Sequence, residues 1–396
     1  MIFFRKIQQF FHHPFFERRS FTILLWLLLP VIAFLLKSNI NQFNNFLIFR
    51  ESFYHAFHHL SLYVPYPEEY QDVFLYGPVF TILMTPFSLL SLKSGLLLWG
   101  VSLSMFLYFS VYNLPLSLKK KSFLYWFCAH ELLTALFMWQ FNVAIAASIL
   151  LSFIFIEKKK EFWAAFFIVF GTLTKVYGIV GLAFFFFSER KKYLFFSLLF
   201  WFLFLGVLPF LVWGIDYTSG QYFEWFKTLL VKNTGNMFAV MQNISLLGMV
   251  RKMSGVGTYS DLWLILPGLL LFFIPYLRKN QYDHLSFRLT YLASVLLFVV
   301  LFSTGSESST YILAFVGVGL WYIVVPWRRS TVDIVLLVFA FILTSMSPSD
   351  LFPRFIRVEY VYPYALKALP CCVIWLKLCW ELMVRDYGIC RYRGGD

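Results

Sequence analysis

Residues 20–37 read SFTILLWLLLPVIAFLLK, with no charge before the last position, and apolar runs like it recur to the far end of the chain. A helical apolar segment of about 20 residues crosses the hydrocarbon core of a bilayer. Inside lipid every backbone donor and acceptor must be satisfied internally, which restricts what such a chain can fold into. The composition agrees: of 396 residues 60% are hydrophobic and 13% charged, and the mean hydropathy is +0.72. A soluble protein of this length carries far more charged surface. The expected fold class is all-α, a polytopic integral membrane protein with about twelve transmembrane helices and a large extracytoplasmic first loop. The spans fall at 20–37, 95–113, 122–139, 141–157, 161–174, 176–187, 192–214, 261–277, 286–303, 309–325, 330–346 and 362–384. They leave no room for a separate soluble domain, so 1–396 is read as one integral domain. Its outer parts are a loop at 38–92 with surface and re-entrant helices, and a second large loop at 214–261.

The net charge of +13 sits in short clusters between the runs, at 119–121, 158–160, 190–192, 278–279, 328–329 and in the tail at 385–393. Lys and Arg gather in cytoplasmic loops, so this pattern expresses topology and calls for no nucleic acid. Both termini then face the cytoplasm, and the Phe-rich start with Arg5, Lys6, Arg18 and Arg19 reads as an uncleaved anchor. Cys128, Cys371, Cys372, Cys379 and Cys390 show no metal-ligand spacing. His55, His58 and His59 share a helical face, but no carboxylate follows at ligand spacing, so no metal is expected. Walker, GxGxxG and Ser-His-Asp patterns are absent from the sequence, and no cofactor is expected.

Polar chemistry concentrates between residues 44 and 87. Phe46, Phe49, Phe53, Phe57 and Leu60 recur at helical steps and predict an amphipathic helix on the membrane surface. Pro78 and Pro86 break the apolar piece at 76–92, which predicts a re-entrant or surface-lying segment. Glu68, Glu69 and Asp72 crowd one short loop and are candidate general bases, with Glu51, beside Arg50, a weaker one. A solvated acidic loop is the plainer reading.

The outer side collects further candidates. Lys175 lies between two apolar stretches too short for full crossings, which predicts a broken helical pair meeting at Thr174 and Lys175. A lysine at membrane depth costs about 2.5–3.5 kcal/mol, so it needs a partner, a wet cavity or access to the interface. It is either a cation for a phosphate or a snorkelling residue. Glu131, inside a span, would orient Lys175 or an outer arginine, or stay protonated. Gln140 and Asn142 bond sugar hydroxyls or cap helices, and Arg251, near Asn243, clamps a phosphate or anchors the interface. A lipid-linked-sugar flippase would also show intramembrane charge, but with matching broken segments in both halves, and none is visible. A polysaccharide polymerase or ligase would need outer arginines, which are present in modest number.

The runs NNFLIFRESFYH, LYVPYPEEYQDVFLYGPVFTILMTPF, ELLTALFMWQFN, FGTLTKVYG and NISLLGMV occur in this order. Together they resemble glycosyltransferase family 87, a branch of the GT-C membrane glycosyltransferases. The resemblance implies a GT-C-like bundle that moves a sugar, often mannose, from a polyprenyl-phosphate donor to a glycan or glycolipid acceptor. The reaction would be inverting, on the extracytoplasmic face of a bacterial plasma (inner) membrane. Membrane lipids, the lipid-linked donor and the acceptor would be the partners. Lys175, Arg251 and Tyr76 would hold the donor, and Asn45, Gln140, Asn142, Glu131, Asn243 and Glu307 would line the substrate site. One departure stands out. The family's usual Asp in an Asp-Phe-x-x-Tyr pattern aligns with Asn45, which cannot act as a base. Glu68, Glu69 or Asp72 then takes that role, or this branch does something else.

Overall fold

The computed structural model describes residues 18–38 and 42–388, and among these all regular structure is helical. Arg5, Lys6, Cys390 and most of the basic tail lie outside the described residues. Helix α1 (Arg19–Lys37) leads into two shorter helices, α2 (Asn44–Phe57) and α3 (Val79–Ser88). Then come α4 (Leu92–Tyr112), α5 (Leu118–Phe137) and α6 (Asn142–Glu157). Helix α7 (Glu161–Lys175) turns into a 3-10 helix (Tyr177–Phe187). They are followed by α8 (Lys191–Trp213), α9 (Ile215–Gly235), α10 (Leu246–Ser254) and α11 (Leu262–Phe273). The chain ends through α12 (Leu285–Leu301), α13 (Tyr311–Val324), α14 (Thr331–Phe339) and α15 (Ala368–Val384). Each apolar run read as a span is helical over most of its length, and α1, α4 and α8 are long and apolar enough to cross a membrane.

The two ends of the bundle differ in chemistry. At one end the basic clusters meet: Lys158 bonds Asn113 at 3.1 Å, Arg288 pairs with Glu157 at 2.7 Å, and Arg278 donates to the Arg385 carbonyl at 2.6 Å. The other end gathers the polar residues of the loops. There Asn45 donates to the Met138 carbonyl at 2.8 Å, and the Ile244 N–H to the Ser306 carbonyl at 2.7 Å.

Glycine fixes the bend that carries Lys175. A Cβ on Gly178 would lie 2.3 Å from the Gly171 carbonyl carbon, and one on Gly181 would lie 2.8 Å from Ile168. The two backbones therefore touch along an antiparallel hairpin, as small residues permit between membrane helices. At 1.5 Å per residue α7 is about 22 Å long, short of the roughly 30 Å hydrocarbon core. The predicted broken pair is present, with Lys175 at its tip. Helix α3, ten residues with Pro86 inside, spans about 15 Å and is likewise too short to cross.

Two expectations are corrected. The stripe on α2 faces protein rather than lipid: Phe46, Phe49 and Phe53 are buried, and Phe57 and Leu60 alone of the five stay exposed. The helix stacks on α3, with the Tyr54 hydroxyl donating to the Ser88 carbonyl at 2.7 Å and the Phe49 ring edge-on to Phe80. The region 214–261 is not an open loop but contains the 21-residue helix α9. Gly214, at φ +90°, turns the chain back so that α9 runs against α8, where Tyr222 stacks on Phe210 and donates to the Gly206 carbonyl at 3.0 Å. Its Gly, Ser, Thr and charged residues hide the helical period in the sequence.

Candidate functional site

The site begins where the first outer loop touches the tip of the hairpin. The Gly77 N–H donates to the Thr174 carbonyl at 3.1 Å, and a Cβ on Gly77 would stand 2.0 Å from the Leu173 carbonyl oxygen. A side chain there would push the two segments apart. The contact sets Tyr76 beside Lys175, whose ammonium donates to Asn142 Oδ1 at 2.7 Å and to the Tyr76 hydroxyl at 3.3 Å. The rings of Tyr76 and Tyr177 face the same ammonium, each at 5.3 Å. Its hydrogen-bond partners are thus an amide and a phenol, neutral groups that leave the positive charge available to an anion.

From Lys175 a hydrogen-bonded chain runs across the bundle. Asn142 donates to Gln140 Oε1 at 2.8 Å and to the Ser309 hydroxyl at 3.0 Å, and Gln140 donates to Glu307 Oε2 at 2.6 Å. Glu307 also caps the turn at Ser308–Thr310 in a reciprocal capping box. Burial raises the Glu307 carboxyl above the ordinary carboxylate range, against the opposing pull of Lys175 and Gln140. Linked amides of this kind hold one another's rotamers, because breaking any member strands a buried polar atom.

Asp72 comes to the same place from the first outer loop. Its backbone sits at φ +78°, a region a non-glycine residue occupies at a cost of about 1–3 kcal/mol and keeps mainly where the surroundings impose it. Gln71, just before it, locks the loop by exchanging two 2.8 Å hydrogen bonds with Asn44 at the start of α2. The Asp72 carboxylate accepts from the Val73 N–H at 2.9 Å and receives the Lys232 ammonium at 2.8 Å on each oxygen.

Two cavities meet at these carboxylates. One, about 610 Å³, is rimmed by polar side chains that include Lys37, Gln71, His130, Gln242 and Lys367. The other, about 500 Å³, contains Lys175, Tyr76 and Tyr177 and is walled by Ile48, Val176, Phe226, Leu229 and Leu230. Asn45, Asp72, Gln140 and Glu307 line both. A chamber with many polar side chains and one with a broad apolar wall around Lys175 therefore share a floor of two carboxylates and two amides.

The other sequence candidates lie apart from this floor. Glu68 is exposed, Glu69 pairs with His55 at 2.8 Å, and Glu51 pairs with Arg50 at 2.8 Å. His59 stacks on Tyr217 and His58 stands edge-on to Phe57, so the three histidines do not converge. Arg251 lines neither cavity. Its guanidinium is enclosed by Asp261 at 2.6 Å, the Gly257 and Tyr259 carbonyls and the Tyr259 ring, which makes it a clasp for the loop after α10. Asn243, at φ +50°, accepts from the Ser245 hydroxyl and shapes the turn into α10 without reaching the cavities. Glu131 meets neither Lys175 nor an arginine; it pairs with Lys367 at 2.8 Å, and Lys367 also donates to the Ser308 carbonyl and hydroxyl at 3.0 Å each. Lys232 and Lys367 escaped sequence reading because their partners lie 160 and 236 residues away.

No curated protein matches this chain. The family model described as glycosyltransferase family 87 matches residues 74–304, a stretch that holds Tyr76, Gln140, Asn142, Lys175 and Lys232 and runs from α3 to the end of α12. Asn45 and Asp72 lie ahead of it and Glu307 just beyond. Since the match covers more than half of the 396 residues, this chain belongs to glycosyltransferase family 87.

Proposed function

We propose that this glycosyltransferase moves a hexose, of the mannose type, from a polyprenyl-phosphate donor to a glycan or glycolipid acceptor. Transfer takes place on the extracytoplasmic face of a bacterial plasma membrane, in a bundle of about twelve spans whose termini face the cytoplasm. The observation that carries the reading is the pair of cavities sharing Asn45, Asp72, Gln140 and Glu307, one with many polar side chains and one with a broad apolar wall and Lys175 inside it. The chamber with Lys175 and the apolar wall suits a lipid phosphate, and the one richer in polar side chains a sugar acceptor. Their shared floor is where the acceptor oxygen and the anomeric carbon would meet.

The chemistry follows from that division. Asp72 takes the proton of the acceptor hydroxyl, and the oxygen attacks the anomeric carbon from the side opposite the phosphate, with inversion. The bond from that carbon to the phosphate oxygen breaks, and its electron pair leaves with the polyprenyl phosphate. Lys175 meets the charge that develops there. Asn45 stands on the same floor as Asp72 and bonds the Met138 carbonyl, which supports Asp72 as the carboxylate that serves where the family's usual Asp is absent. Glu307, with its oxygens engaged by Gln140 and the helix cap, fixes the floor.

The test is sugar transfer by the purified protein in nanodiscs, from polyprenyl-phosphate mannose to membrane-extracted acceptors. Asp72→Asn should lower turnover by about 10²–10⁴-fold, the span typical of general acid–base groups, and Lys175→Ala by about 10²–10³-fold, as for loss of one charge-stabilising group. Full activity in Asp72→Asn would remove the assigned base. Absent transfer from every lipid donor, with lipid-linked sugar crossing proteoliposomes, would replace the transferase with a flippase.

A further inference from the structure

Helix α9 brings a second cation into the donor chamber, and it is already engaged. Lys232, near the end of α9, lines the same cavity as Lys175 while its ammonium sits on both oxygens of Asp72. In that arrangement the ammonium competes with an acceptor hydroxyl for both carboxylate oxygens, on a side chain that is 41% exposed. One turn further on, Asn236 also lines the chamber; it is buried, and its Oδ1 has no hydrogen-bond partner among the described residues. A buried amide oxygen left unsatisfied costs free energy until a donor reaches it. The C-terminal end of α9 and the residue that follows it thus present to the chamber a cation held by the wrong anion for transfer and an acceptor held by nothing.

We propose that Lys232 is a donor-responsive clamp that exchanges Asp72 for the donor phosphate, so that the base is released only when a lipid-linked sugar is seated. This rests on the transferase reading and deepens it. A phosphodiester entering beside Lys175 offers anionic oxygens in the chamber that Lys232 lines, and the ammonium passes from one anion to another without losing its pairing. Both Asp72 oxygens then face the acceptor hydroxyl. The hydroxyl proton passes to Asp72, the new carbon–oxygen bond forms, and the departing phosphate, with one more negative charge, lies between Lys175 and Lys232. Asn236 Oδ1 accepts a hydroxyl of the donor sugar. Exposed apolar residues on the same helix, Phe223, Phe226 and Leu230, leave α9 a side toward lipid from which a prenyl chain arrives.

Binding tests the exchange without requiring turnover. The protein in nanodiscs is titrated with geranylgeranyl phosphate, and with geranylgeraniol as the uncharged control. Lys232→Met should weaken the phosphate about tenfold and leave the alcohol unchanged, which also certifies the fold. Asp72→Asn should tighten the phosphate about threefold, because Lys232 no longer has to leave a carboxylate, and should do nothing in the Lys232→Met background. Equal tightening in both backgrounds would mean plain charge repulsion and would overturn the exchange, as would an unchanged phosphate affinity in Lys232→Met. Either result leaves the transferase reading intact. Wild-type protein that does not distinguish phosphate from alcohol, and transfers no sugar, would overturn both.

Discussion

Lys367 and Glu131 form a 2.8 Å ion pair with side chains only 3% and 0% exposed, and the same ammonium holds the Ser308 carbonyl and hydroxyl. The pair therefore fastens α5 and the start of α15 to the turn that begins at Glu307. Breaking one side of such a pair strands a buried charge, typically at about 3–5 kcal/mol, whereas replacing both sides with apolar groups is often neutral. Lys367→Met should lower the thermal midpoint sharply, and Glu131→Leu with Lys367→Met should recover most of it. Because the double variant still frees Ser308, its transfer rate should stay low while its stability returns. A double variant with wild-type turnover would show that the pair does not position Glu307.

The hairpin tip depends on the contact of Gly171 with Gly178. Adding one methyl group at Gly178 places it 2.3 Å from backbone, so Gly178→Ala should separate the two helical arms of the hairpin and displace Lys175. Transfer and thermal stability should both fall. Gly220→Ala, on the open side of α9 with nothing within 4 Å, should leave both unchanged in the same assays.

Arg251 distinguishes a clasp from a phosphate ligand. Its partners are Asp261 and two carbonyls, so Arg251→Met should cost about 3–5 kcal/mol of stability through the unpaired Asp261 and the lost bonds. The KM for the lipid donor, measured on the folded fraction, should not move. A tenfold rise in that KM would restore Arg251 to the donor site.

Asn142 ties the Lys175 ammonium to Gln140 and Ser309. Asn142→Leu has similar volume and removes every one of these bonds, leaving buried polar atoms unpaired at about 1–3 kcal/mol each. Turnover should drop, with the donor KM rising more than the acceptor KM, since Lys175 loses its anchor before Glu307 does. Equal changes in both constants would argue for general loosening instead.

Much of this arrangement was legible in the sequence. The apolar runs and basic clusters forecast helices and a bundle with chemically distinct ends, because bilayer thickness and the siting of Lys and Arg act on local composition. Residues 161–187, too short for two crossings, forecast the broken pair and singled out Lys175. The motifs near Tyr76, Asn142 and Lys175 forecast the family, and the fold brings these three residues together. Asp72 was one of three adjacent carboxylates with nothing local to separate them from one another.

Tertiary structure decided among them by packing over long separations. It turned Glu69 to His55, left Glu68 in solvent and put Asp72 on the shared floor with Lys232 above it. It gave Glu131 to Lys367 and Arg251 to Asp261, pairings that no spacing announces. Sequence determined the elements, since helix formation and membrane burial depend on residues within a few turns of each other. Which charges meet depended on the crossing of helices far apart in the chain, and that is set by the fit of whole surfaces.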